Sequence, residues 1–242
     1  MSIALAEQNY WRNGRFMIQQ TPQSDQFKEQ LQGSLLNETK NSSAIKVRRN
    51  NQVYTAGDER RTVYFIEKGQ IKLVMVSEEG KECMLAIHGA GDVFGELCLS
   101  ELGGRLETAT AMEDTFLKEI PCSKFLDRLA ADALLEGFIK YLAVRIADQQ
   151  QVIANLVTVD SEQRLGKTLL QIAKKLGKKD PRSMRIEVRL SHEELGAMVG
   201  TTRPRISVFM QRFRNLGLIE YNSEHHLIVK EKKLTAYLAS IL

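Results

Sequence analysis

The chain has 242 residues, 43% hydrophobic and 26% charged, the balance of a globular protein with room for two modest domains. It lacks the long apolar run of a membrane helix, and Met1–Ile18 lacks the apolar core of a signal peptide, so a cytoplasmic protein is expected, with no membrane partner. Three cysteines (Cys83, Cys98 and Cys122) form no close pair, and four histidines come without any Cys-x-x-Cys motif, which argues against a disulfide framework and against a metal site. The net charge of +4 is unevenly spread: Ser161–Leu242 holds 16 Lys/Arg against 8 Asp/Glu, and residues 1–160 hold 18 against 22. A basic C-terminal third fits a polyanion partner; a solvated basic face fits the charge equally well.

Residues 1–42 are rich in Gln, Asn and Ser and read as a polar, flexible N-terminal extension. Within it, Phe27, Leu31 and Leu35 recur every fourth residue and predict a helix over Ser24–Leu36. From Ile45 to Ile120 short β-type runs alternate with glycines: Thr62–Ile66, Ile71–Val76 and Cys83–Ile87, with Gly57, Gly69, Gly80 and Gly91 spaced 11 or 12 residues apart. Glycine accepts the positive φ of tight turns, so this spacing predicts an antiparallel sandwich or roll over residues 43–121.

Pro121 ends that region, and a long helix is expected from near Ser123 to residue 159. Ile139, Leu142, Ile146, Gln149, Ile153 and Leu156 alternate by three and four, the seam of a coiled coil. A twin helix would bury this seam; the alternative is packing on the chain's own domain. Arg145, Asp148, Gln150 and Gln151 flank the stripe and keep it narrow, which favours a homodimer.

A further helix is predicted over Asp160–Gly177, with Asp160 and Gln163 as a capping box, followed by a basic loop from Lys178 to Arg185. Ser191-His192-Glu193-Glu194 is a second capping box, opening a short helix with Leu195, Met198 and Val199 on its apolar face. Gly200 stops it. Thr201 and Thr202 are positioned to cap the next helix, which carries Pro204 in its first turn and buries Ile206, Phe209, Met210 and Phe213. Two short helices, a glycine turn and a basic second helix describe a helix-turn-helix. Arg203, Arg205 and Ser207, after Thr202, lie where base edges are read, since arginine donates two parallel hydrogen bonds to guanine. Arg212 and Arg214 suit phosphates. Leu218–Tyr221 and Leu227–Val229 then flank a turn and form a hairpin wing. The fold class read from these elements is α+β: an N-terminal β-roll (43–121), a dimerisation helix (122–159) and a C-terminal winged helix-turn-helix (160–242).

In this order, the segments Gly91-Asp92-Val93-Phe94-Gly95-Glu96-Leu97 and Leu190–Val208 resemble the cyclic-nucleotide signature and the helix-turn-helix of the CRP/FNR family of transcription regulators, over about residues 45–230. The resemblance implies a homodimer on a palindromic double-stranded DNA site, with recognition helices about 34 Å apart, and contact with RNA polymerase. It also implies an effector pocket around Gly95, Glu96, Leu97 and Thr108. In cyclic-AMP-binding members a Gly-Glu-Leu turn is followed by Arg-Ser/Thr-Ala, the glutamate taking the ribose and the arginine the cyclic phosphate. Here the triplet is Glu107-Thr108-Ala109. A carboxylate at the phosphate position repels that ligand, which argues against cyclic AMP and leaves another nucleotide, another effector or none open. Arg105 lies two residues earlier and replaces the missing arginine if the loop bulges. Gln149 and Gln150 stand where adenine-contacting members carry small hydroxyl residues; they reach a pocket ligand or, for Gln149, pair with the twin residue across the dimer axis.

Without a cysteine before Cys83, the iron–sulfur mechanism of the oxygen-sensing branch is unsupported, and Cys83 and His88 as haem ligands read better as roll filling or surface. Cys98, close to the expected pocket, reads as a small buried thiol. Pro204 replaces the glutamate common at the start of the family's recognition helix, which changes the expected half-site. His192 stands where a phosphate-contacting arginine is common. No nucleophile with its base, metal cluster or phosphate-binding glycine loop points to an enzyme. A cyclic-nucleotide-binding regulatory subunit with no DNA role would share the roll but would need no capped basic helix-turn-helix.

Overall fold

The computed structural model describes residues 22–36, 43–100, 103–180, 183–186 and 189–241. The chain divides into two compact units, Thr21–Arg145 and Ile146–Leu242. In the first, two antiparallel four-stranded sheets form the roll. One has the order β1 (Ser43–Val47), β8 (Thr115–Pro121), β3 (Thr62–Lys68), β6 (Val93–Phe94). The other has the order β2 (Gln52–Tyr54), β7 (Thr108–Ala111), β4 (Ile71–Val76), β5 (Glu82–His88). Strand side chains alternate between faces, and β3 is covered on both. Tyr64 and Ile66 join Tyr54, Ile71, Leu73 and Phe94 in one core cluster. Val63 and Phe65 join a second cluster under the helices.

That second cluster corrects the reading of residues 1–42 as a loosely packed extension. Helix α1 (Pro22–Leu36) buries Phe27, Leu31 and Leu35 almost completely. It is also tied by charge: Lys28 Nζ lies 2.7 Å from the buried Asp92 carboxylate, and Lys118 Nζ donates to the Leu35 carbonyl at 2.6 Å. The remainder of that segment, residues 1–21 and 37–42, lies outside the described residues.

The single long helix expected from Ser123 is two helices. Helix α2 (Cys122–Ala131) ends where Ala133 takes a left-handed backbone, φ 54°, and the Leu134 N–H bonds back to the Leu129 carbonyl at 2.8 Å. This is a Schellman-type stop, with the buried Leu134 as its apolar partner. No glycine or proline marks it, so the periodicity runs through. Helix α3 (Leu135–Thr158) follows.

In the second unit, helix α4 (Ser161–Leu176) is capped as expected by Asp160, whose side chain accepts from the Glu162 and Gln163 N–H groups. The reciprocal half of that capping box is not used: Gln163 Nε2 donates to the Ile241 carbonyl at 2.8 Å instead. The expected basic loop is largely a hairpin, β9 (Gly177–Asp180) and β10 (Ser183–Ile186), with Met184 and Ile186 buried in alternation. These strands complete a sheet of order β11 (Ile219–Tyr221), β12 (Leu227–Val229), β10, β9. Helices α5 (His192–Val199) and α6 (Arg203–Asn215) lie between β10 and β11 in sequence, and a helix the sequence reading lacked, α7 (Glu231–Ser240), packs Leu238 against Gly166.

Candidate functional site: reading helix and roll interior

The helix pair is held by identifiable bonds. Ser191 and Glu194 make both bonds of the capping box at the start of α5. Gly200, at φ 69°, takes the left-handed turn that an L side chain resists. Arg164, which the sequence reading passed over, donates to the Val199 carbonyl at 2.8 Å and the Val159 carbonyl at 2.7 Å, so it staples the turn to the end of α3. Thr202 occupies the N-cap of α6 with an extended backbone, but its side chain makes no capping bond. Pro204 has no N–H to satisfy, and the N–H groups of Arg203 and Arg205 on either side of it take no cap from Thr202.

The expected DNA-contacting residues separate into two groups. Thr202, Arg203 and Arg205 are exposed at the start of α6. Ser207 and His192 are half-buried and bonded to each other, and Arg212, though exposed, is held by an ion pair. The Ser207 hydroxyl donates to the Arg203 carbonyl at 3.1 Å and lies 2.8 Å from His192 Nδ1. The contact fixes the imidazole ring beside the Ser207 hydroxyl through Nδ1, which leaves Nε2 as the ring nitrogen for an outside partner. Arg212 pairs with Glu162 at 2.7 Å, and Glu162 also accepts from Tyr237 at 2.6 Å, so Arg212 ties α6 to α4 and α7.

In the roll, Gly95 stands at φ 79°, and a Cβ there would lie 2.9 Å from an Arg105 guanidinium nitrogen. The close approach follows from a buried side chain: Arg105 points inward, 4% exposed, and donates to the Gly95, Arg60 and Thr62 carbonyls. Its guanidinium lies 4.4 Å from the Tyr54 ring centroid. The Tyr54 hydroxyl donates to Glu107, itself 2% exposed, at 2.8 Å. Burial, and then the adjacent Glu107 carboxylate, hold the Tyr54 phenol far above its ordinary range, so it donates without ionising. Glu96, expected to meet a ribose, is paired with Arg145 at 2.8 Å. Arg145 also donates to the Val93 carbonyl at 3.3 Å, so it is an inward anchor and not the seam-flanking charge expected. Thr108 Oγ1 accepts from the Ala56 N–H, and Leu97 lies half-buried in the short 3₁₀ helix Glu96–Leu99. A cavity of about 420 Å³ borders Arg105, lined also by Asp58, Arg60, Arg61, Cys98 and Gly104. Burial and the neighbouring Cys122 push the Cys98 thiol up to about 12, which keeps it protonated and unreactive. His88 is buried, its ring 6.3 Å from that of Phe94 and its Nδ1 3.4 Å from Asp92.

Comparison with known proteins decides what this arrangement is. Residues 44–132 match the cyclic nucleotide-binding domain, and residues 163–237 match the Crp-like helix-turn-helix domain. The chain belongs to the CRP/FNR family of transcription regulators. Among its relatives, a CRP-like cAMP-activated global transcriptional regulator of Mycobacterium tuberculosis is 26% identical over 197 residues, 81% of this chain and 88% of that protein. The cAMP-activated global transcriptional regulator CRP of Haemophilus influenzae is 28% identical over 173 residues, 68% and 74% of the two chains. The solved structure of a CooA variant from Carboxydothermus hydrogenoformans superposes with a TM-score of 0.70 at 27% identity, over 85% of this chain and 94% of that one.

Within this CRP/FNR regulator, the stripe on α3 is uneven. Ile139, Ile146 and Ile153, seven residues apart, are 58%, 54% and 62% exposed. Leu142 packs partly on the second core cluster, and Leu156 touches the Gly200 turn. Gln149 and Gln150 are exposed. No described helix is long and apolar enough to cross a membrane. Tyr54, Arg145 and Arg164 left no sequence signal, because each acts on a backbone carbonyl or on a residue distant in sequence.

Proposed function

We propose that this regulator acts as a homodimer on a two-fold symmetric duplex, in the compartment that holds the DNA, and that it works by contact with RNA polymerase rather than by catalysis. The observation that carries the reading is the exposed, uncapped first turn of α6 with Arg203 and Arg205 beside it, on a helix tied to α4 by Arg212 and preceded by a turn that Arg164 staples in place. Ile139, Ile146 and Ile153 of one protomer meet their twins along α3. Thr202, Arg203 and Arg205 approach base edges, and His192, when protonated, approaches a phosphate. Ser207 serves by positioning His192.

Fluorescence anisotropy on a duplex selected from a random pool tests this. Binding should favour one palindrome and weaken steeply with salt. Arg203→Ala should cost about 1–3 kcal/mol at that site and relax base choice at one position per half-site. Equal binding to all duplexes would refute the reading.

Any effector reaches the roll through the cavity beside Arg105. Cyclic AMP is not the favoured occupant, because Glu107, a buried carboxylate, stands in the triplet where cyclic-AMP-binding members carry the phosphate-pairing arginine, and both terminal nitrogens of Arg105 already donate to carbonyls. Cyclic AMP at about 1 mM should leave the melting temperature nearly unchanged. A ligand bound a hundredfold below its concentration would add about 2.7 kcal/mol, and a shift of several degrees would show that Glu107 does not exclude the phosphate.

A further inference from the structure

We propose that Val208 is a specificity residue that reads the 5-methyl group of a thymine in each half-site. This rests on the DNA-reading role of α6 argued above. The buried stripe of α6 is Ile206, Met210 and Phe213. Val208 is two residues from Ile206 and two from Met210, about 200° of helix rotation from each, so it stands at the centre of the opposite face. It is 62% exposed. Its neighbours on that face, three and four residues away, are Pro204, Arg205, Gln211 and Arg212, all exposed. Arg212 is drawn aside by Glu162, and Gln211 Nε2 is occupied by Asn215 Oδ1 at 2.8 Å. The middle of the outward face is therefore an apolar strip, the Pro204 ring followed one turn later by the Val208 methyls, with Arg205 alongside.

An apolar side chain has nothing to offer the acceptors of guanine or the amino groups of adenine and cytosine in the major groove. The thymine methyl is the apolar group there, and an aliphatic side chain gains by covering it. A β-branched residue on a helix is held mostly in one rotamer, so the two methyls of Val208 are presented with little entropy left to lose. The chemistry thus selects thymine opposite Val208, beside the position read by Arg205.

The experiment uses the full-length protein and the palindrome obtained by selection. Each thymine is replaced in turn by deoxyuridine, which removes the methyl group and leaves every hydrogen-bonding edge intact. At one position per half-site the wild-type chain should lose about fourfold in affinity, and about fifteenfold when both half-sites are changed. Val208→Ala should bind the thymine and deoxyuridine duplexes equally while keeping the wild-type melting temperature and salt dependence. The inference is overturned if no thymine replacement weakens the wild-type protein, if the selected half-site holds no thymine, or if Val208→Ala keeps the methyl sensitivity. Failure to select any palindrome overturns the DNA-reading role itself, so the two failures are told apart.

Discussion

Ile146→Asp combined with Ile153→Asp should convert the protein to monomers at micromolar concentration and abolish tight operator binding. Each substitution places a carboxylate in the middle of the stripe, and a symmetric pairing buries four of them per dimer. An uncompensated buried charge costs several kcal/mol, so the association free energy is exhausted. Loss of the second reading head should then lower affinity for the palindrome by about a thousandfold or more, because the half-sites no longer act as one ligand. Both residues are more than half exposed within the protomer (54% and 62%), so the fold of the single chain should be indifferent, with changes of about 0.5 kcal/mol or less. Light scattering and circular dichroism together check this. A folded variant that remains dimeric would place the interface elsewhere.

Arg105→Ala should destabilise the roll by about 3–5 kcal/mol, the usual cost of removing one side of a buried charged network. Three carbonyls, of Gly95, Arg60 and Thr62, lose their donor together, and the Tyr54 ring loses the guanidinium stacked on it. The Glu107 carboxylate, only 2% exposed, is linked to Arg105 through Tyr54, whose ring meets the guanidinium and whose hydroxyl donates to Glu107, so it loses a favourable neighbour at the same time. Adding Glu107→Gln should restore part of the loss, because the charge left unbalanced is removed; the two changes should be clearly non-additive in a double-mutant cycle. Urea unfolding followed at the roll is the measurement, and a single-mutant effect below about 1 kcal/mol would mean that Arg105 is ornamental to this unit.

The architecture was legible to the extent that it is written in local periodicity. The alternation in β3 and β4, the fourfold spacing of Phe27, Leu31 and Leu35, and the Ser191–Glu194 box each specify an element without help from distant residues. What periodicity conceals is a break that keeps phase. The stop at Ala133 escaped because no glycine or proline marks it; the small hairpin with Met184 and Ile186 escaped although Asp180-Pro181 is a turn signal, because its strands are only four residues long and rich in charge. The polar composition of residues 1–42 misled for a related reason: three fully buried side chains suffice to dock a helix, whatever the average hydrophobicity around them.

The sites divide in the same way. By itself the sequence determined the family, the order of roll, helix and winged helix-turn-helix, and the residues at the head of the reading helix, because caps, turns and amphipathic faces are short-range properties of consecutive residues. Only the tertiary structure decided which charges are free. It committed Arg212 to Glu162, Arg145 to Glu96 and Arg105 to three carbonyls, while leaving Val208 facing outward. The physical reason is that an arginine's role is set by whichever acceptor lies within about 3 Å of its planar fork, and those acceptors come from parts of the chain that meet only on folding.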